Sequence, residues 1–193
     1  RLNWRTFGID VWYGHLLCAI GMALRPQFNI LLIPSSVVGS VVRVATGTLI
    51  EPKLSNESQQ FRITGAEMNR IAKIEKLGSH YPQFIEQLRV CVEKDFVATN
   101  GAQNCGRCVK CLRTQVELRV CKIEGREKPF ATPLDLSICK RTQPSAASRI
   151  VWENLATEAK SRGDKEVHKA IRTMLDQSAW RRKLRRVANK LAN

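Results

Sequence analysis

Three cysteines within seven residues, in the run Asn104-Cys105-Gly106-Arg107-Cys108-Val109-Lys110-Cys111, constrain this chain more than any other feature. Thiolates are soft ligands, and a zinc ion takes four of them tetrahedrally at about 2.3 Å. Two-residue spacers let the backbone turn so that successive sulfurs converge on one ion, and Gly106 relieves crowding inside that turn. The fourth ligand has to come from elsewhere. Cys91, at the end of a predicted helix, is the first choice. Cys121 competes, but a helix running on from Cys111 would carry it about 15 Å away at a rise of ~1.5 Å per residue. Cys18 and Cys139 are read as bystanders. Arg107, Lys110 and Arg113 would offset the negative charge of a zinc tetrathiolate. Two alternatives stand beside zinc: buried, unliganded thiols, and an iron–sulfur cluster. Against the latter, the ferredoxin pattern expects a Cys-Pro pair after three more residues, and Gln115 stands there. Four thiolates leave no open coordination position, so such a zinc is structural and does not name a reaction.

The remaining composition sets boundaries. Seven cysteines is an odd count, and no secretory signal opens the sequence. Both argue against a disulfide framework and for a reducing, cytoplasmic setting. The 193 residues suit one domain or one domain with an appendage, and 44% apolar with 25% charged residues argues against wholesale disorder. No apolar stretch reaches the roughly 20 residues a membrane helix needs; the run Ile30 to Val42 is broken by Pro34 and Gly39. Net charge is +15, from 32 Lys+Arg against 17 Asp+Glu, which fits either contact with phosphate or another anionic partner or a solvated basic surface.

Along the chain, Leu16, Leu17, Ile20 and Leu24 have helical spacing over Gly14 to Arg25, and Pro26 ends the pattern. Phe28 to Ile33 is a short branched apolar run that suits a strand buried on both faces of a parallel sheet. Gln60 to Ile63 forms a second short strand. Thr64 and Glu67 make a capping-box pattern opening a helix from Gly65 to about Leu77, stopped by Gly78. A short helix over Pro82 to Val90 leads to Cys91, and Val109 to Cys121 is helical. Prolines 129, 133 and 144 mark residues 126–147 as a linker. Helical spacing resumes with Val151, Leu155, Ala159, Val167, Ile171 and Leu175, then Trp180, Leu184, Val187 and Leu191.

Cys91 followed by Cys105-Gly-Arg-Cys108-Val-Lys-Cys111-Leu-Arg113-Thr114, with Arg89-Val90 ahead of Cys91, resembles the zinc segment of the 7-cyano-7-deazaguanine synthase family and its uncharacterised bacterial relatives. Three upstream pieces extend the likeness over residues 1 to 120: Tyr13-Gly14-His15, Leu32-Ile33-Pro34-Ser35-Ser36, and Gly65-Ala66-Glu67-Met68-Asn69-Arg70-Ile71 running to Lys73. The resemblance implies an α/β fold, a Rossmann-like parallel sheet with flanking helices of the adenine nucleotide alpha hydrolase kind. Its N-terminal part would be missing here, and a zinc knuckle and a C-terminal helical tail follow. Members of that ATP-pyrophosphatase (PP-loop) superfamily adenylate an oxygen with release of pyrophosphate, and a nitrogen or sulfur nucleophile then displaces AMP. The implied partners are ATP with Mg2+ and a small-molecule substrate, and a homo-oligomer is left open. The phosphate-cradling Ser-Gly-Gly-x-Asp-Ser loop is not among these residues and would lie upstream of Arg1, so the chain is not expected to be active alone. By the match, Ser35 and Ser36 end a strand on the ligand-binding rim, Arg70 and Lys73 begin a helix near it, and His15 opens another.

The organisation that follows is a partial α/β domain over 1–125 with the zinc knuckle at 91–111, a linker over 126–147, and a basic helical tail over 148–193. Residues 140–193 hold 14 Lys/Arg against 5 Asp/Glu. The run Trp180-Arg181-Arg182-Lys183-Leu184-Arg185-Arg186-Val187 is a basic amphipathic helix that packs on the core or meets nucleic acid. A non-catalytic zinc module with a nucleic-acid-binding tail is therefore the alternative to the ligase reading.

Overall fold

A computed structural model describes residues 9–25, 27–35, 50–93, 101–144 and 146–177. The chain divides into two compact units, Arg1–Lys73 and Ile74–Asn193. Among the described residues it is a mixed α/β structure with one two-stranded parallel sheet and several helices.

In the first unit, helix α1 (Ile9–Ala23) precedes strand β1 (Ile30–Pro34), a 3-10 turn (Glu51–Leu54) and strand β2 (Gln60–Thr64). The strands pair in parallel, Ile30 opposite Gln60 through Pro34 opposite Thr64. Cys18, Ile33 and Phe61 form the core, with Leu17, Leu31, Leu54 and Ile63 packed on it. Gly21 permits this approach, because a Cβ there would lie 2.7 Å from Leu31 and 2.9 Å from Phe61. The buried Gln59 amide donates to the Gly21 carbonyl at 2.8 Å, tying α1 to the start of β2.

The strand expected to be buried on both faces is covered on one. Side chains alternate across a strand. Ile33 is 1% exposed while its neighbour Leu32 is 61% exposed, and Ile30 is also open. Among the described residues nothing covers the second face.

Helix α2 spans Arg70–His80, not Gly65 to Leu77. The capping box fails because Thr64 is held in β2 by its pairing with Pro34. Gly65 then takes φ +71°, a left-handed conformation outside the right-handed helix. Asn69 is the cap instead: its Oδ1 accepts from the Ala72 amide at 2.8 Å. Nor does Gly78 stop the helix. It makes room for Ile123, whose Cδ1 would sit 2.2 Å from a Cβ at that position.

The second unit takes up at Ile74 and continues through a 3-10 turn (Pro82–Phe84), α3 (Val109–Val120), α4 (Leu136–Arg141), α5 (Ala146–Ser161) and a further helix, α6, over residues 165–177. The helix expected over Pro82 to Val90 shrinks to that 3-10 turn, and residues 88–91 run on without helical structure. The stretch read as a linker contains α4, capped by Asp135, whose Oδ1 accepts from the Ser137 amide at 2.7 Å. Phe130, Leu136 and Cys139 in it are buried. Trp152, Leu155 and Ala159 of α5 and Val167, Ile171 and Leu175 of α6 are buried as well. Arg119 joins α3 to the start of α6 through Asp164 (2.8 Å) and Glu166 (2.7 Å). Arg162 pairs with Glu75 of α2. Trp180, Leu184, Val187 and Leu191 lie outside the described residues. No helix among those described is long and apolar enough to cross a membrane.

Candidate metal centre

The local chain path explains how the cysteines meet. Gly106 takes φ +77°, and a Cβ there would fall 2.1 Å from the Thr132 carbonyl oxygen, so both the turn and the close approach exclude a larger residue. That turn points the amides of Arg107 and Cys108 at the Cys105 sulfur, each at 3.4 Å. Cys108 then caps α3 in extended conformation, its carbonyl accepting from Leu112 at 2.9 Å. Cys111 follows in the first helical turn of α3.

Cys91, Cys105, Cys108 and Cys111 place their sulfurs within 4.8 Å of one another. Cys105 and Cys111 are 3.8 Å apart and Cys108 and Cys111 3.3 Å. A tetrahedron with metal–sulfur bonds of about 2.3 Å has edges of roughly 3.8 Å; a disulfide needs about 2.05 Å. All seven cysteines are free thiols. The spacing thus fits four ligands around one soft cation. Cys121, at the C-terminal end of α3, takes no part.

The thiols are not equivalent. At Cys91 burial pushes the thiol up, but amide hydrogen bonds from Cys105 and Glu93 and thiol contacts with Cys105 and Cys111 outweigh it and bring it down to about 7. Burial pushes the Cys111 thiol far up, reinforced by the neighbouring Cys108. Burial likewise raises Cys105. The cluster packs against Ile74, Ile85, Leu118 and Phe130. Of the cations expected to offset the charge, Arg113 faces Glu117 at 3.5 Å and Arg107 donates to the Thr132 hydroxyl at 3.2 Å; Lys110 is exposed.

Two supporting residues were not assigned roles from the sequence. Gln115 is buried and donates to the Gly106 carbonyl at 2.8 Å, holding the turn from α3. Asn104 is 0% exposed; its Oδ1 accepts from Val90 (2.7 Å) and Cys91 (3.0 Å), and its Nδ2 donates to Leu88 (2.6 Å) and Pro129 (2.9 Å). An asparagine adjoining the first cysteine of a knuckle is visible in sequence, but its partners 13 to 25 residues away are not.

The other expected site residues fall in the first unit. Lys73 extends across Gly65 and donates from Nζ to the Ser35 carbonyl at 2.9 Å, so these two are brought together at the C-terminal end of β1. Ser35 is buried, and its amide donates to Thr64 at 2.8 Å. Arg70 is exposed on the first turn of α2; His15, expected to open a helix, is half-buried in the middle of α1, which already begins at Ile9. Glu67 is exposed in the turn before α2. Ser36 lies outside the described residues. Comparison with protein-family models, curated proteins and solved structures finds no match to this chain.

Proposed function

We propose that Cys91, Cys105, Cys108 and Cys111 hold one Zn2+ as a structural centre, in a protein that acts as part of an ATP-dependent ligase or amidase. The observation that carries the metal assignment is the convergence of four sulfurs within 4.8 Å. Four thiolates saturate a tetrahedral zinc, so the ion supplies cross-linking rather than catalysis. The chain's own residues do the rest. Gly106 and Gln115 hold the knuckle turn, amides stabilise the Cys105 thiolate, and α3 presents Cys111. One zinc per chain is expected after purification without chelator, lost in Cys108→Ser; elemental analysis finding iron, or no metal, overturns the assignment.

The ligase reading rests on the resemblance of the cysteine segment and the three upstream pieces. It is supported by Lys73 meeting Ser35 where β1 ends, with Arg70 at the start of α2; the C-terminal ends of strands are the rim at which Rossmann-like sheets bind nucleotides. On this reading Arg70 and Lys73 face phosphate oxygens of ATP-Mg2+. The second reading, a zinc module that contacts nucleic acid, is favoured by the 14 Lys/Arg against 5 Asp/Glu of residues 140–193. Reading the gene ahead of the codon for Arg1 separates them. A Ser-Gly-Gly-x-Asp-Ser loop after a strand supports the ligase, and an initiation codon there leaves the zinc module.

A further inference from the structure

We infer that Asn104 is the positioning residue of the metal centre, the latch that brings Cys91 to the other three thiols. The inference rests on the metal-centre reading above. Cys105, Cys108 and Cys111 lie within seven residues and are held by one turn and one helix start, so they converge by local geometry alone. Cys91 has no such help. It lies in a stretch without helix or strand, and residues 94–100 between it and the knuckle are outside those described.

Leu88, Val90 and Cys91 pack against the cluster of Ile74, Ile85 and Phe130, and the Asn104 side chain fixes their backbone. Asn104 carries two acceptor sites on Oδ1 and two donors on Nδ2. Here all four are used, against Val90, Cys91, Leu88 and Pro129. Its main chain is engaged as well: its amide donates to Pro129 at 3.1 Å and its carbonyl accepts from Ala131 at 2.8 Å. Asn104 therefore joins three separate pieces of chain, 88–91, the knuckle and 129–131. The Cys91 amide is itself one of the bonded groups, so the latch acts within one residue's length of the ligand sulfur.

The chemistry selects asparagine. Aspartate would replace the two donors by an oxygen facing two carbonyls, and would add negative charge beside four thiols. Alanine would take this partner from the Leu88 carbonyl and the Val90 and Cys91 amides, part-buried groups that are costly to leave unpaired, while the Pro129 carbonyl keeps the Gln103 and Asn104 amides. Residues that orient a metal ligand from behind typically change metal affinity by about 10–100-fold when lost.

The test uses the full chain and Co2+ as a spectroscopic probe, because the thiolate-to-cobalt charge-transfer band grows with the number of thiolates bound. Wild type is expected to show the band of four thiolates. Asn104→Ala is expected to show that of three, with about 10–100-fold weaker affinity in a chelator competition. Gln115→Ala, which loosens the knuckle instead, should weaken affinity while keeping four. A four-thiolate band at wild-type affinity in Asn104→Ala overturns the latch and leaves the metal centre standing.

If wild type binds no Co2+, the metal reading fails, and amide hydrogen exchange on the metal-free chain decides the latch separately. Protected Val90 and Cys91 amides that become unprotected in Asn104→Ala support it, and amides already unprotected in wild type overturn it. The same wild-type exchange measurement decides the matter if Asn104→Ala does not fold.

Discussion

The cysteine segment and the β1–β2 pair were both read from short, dense sequence patterns, and they meet their surroundings in opposite ways. Around the cysteines nearly every exposed cost has been met internally: Asn104 uses all four side-chain hydrogen-bonding sites, Gln115 closes the knuckle turn, and Phe130 and Ile85 pack behind the sulfurs. In β1 the apolar run is left half open, with Leu32 61% exposed beside a fully buried Ile33. Cys105, Cys108 and Cys111 converge within a few residues, and Asn104 reaches partners 13 to 25 residues away. A strand only specifies that it needs some.

The largest effect should come from removing the metal ligand set. Structural zinc contributes on the order of 10 kcal/mol in small metal-dependent modules. Cys108→Ser, or exhaustive chelation, should lower the thermal midpoint of the second unit. Hydrogen exchange should then show opening of residues 88–91 and 101–111. Protection in β1 and β2 should persist, since that unit has its own core of Cys18, Ile33 and Phe61. Loss of protection in both units together would break the contrast.

Next in size, one glycine ahead of the Cys105–Cys111 turn and one inside it separate local strain from packing. Gly101 and Gly106 both have left-handed φ, +79° and +77°. A methyl group at Gly101 meets nothing within 4 Å, whereas at Gly106 it would collide with the Thr132 carbonyl. Gly101→Ala should cost about 1 kcal/mol, the penalty for a side chain in that conformation. Gly106→Ala should cost clearly more and weaken metal binding, as read by denaturant midpoints and chelator competition. Equal costs would place the constraint in φ alone.

How far the sequence reveals each region follows from the same distinction. The grouping of four cysteines was legible because C-x2-C-x2-C is a local pattern, and Cys91 was preferred to Cys121 by helix length alone. The α2 start was misread because Thr64 and Glu67 satisfy a capping rule that ignores strand pairing: Thr64 belongs to β2, and Asn69 caps. Residues 126–147 looked like linker because prolines are visible and the long-range burial of Phe130 and Cys139 is not. Asn104 was in plain view, but a side chain that bridges three segments has no signature until those segments are placed. The nucleotide-site expectations at Ser35, Arg70 and Lys73 came from positions at strand and helix ends, and His15 was misplaced because the turn of α1 ahead of it carries no start signal at Gly14.

The smallest effect sharpens the contrast most. Ile33→Ala should cost roughly 2–5 kcal/mol, because it empties a buried site beside Phe61. Leu32→Ser, one residue away in the same apolar run, should change the denaturation midpoint by no more than about 0.5 kcal/mol, the usual range for an exposed position. Its measurable consequence should be elsewhere. An apolar strand side chain in water, beside the similarly open Ile30, favours association with any complementary surface. Sedimentation or light scattering at rising concentration should therefore show less self-association for Leu32→Ser than for wild type. A Leu32→Ser penalty matching that of Ile33→Ala would mean that the second face of β1 is covered after all, and the two regions would then differ in how their partners are encoded rather than in whether they have them.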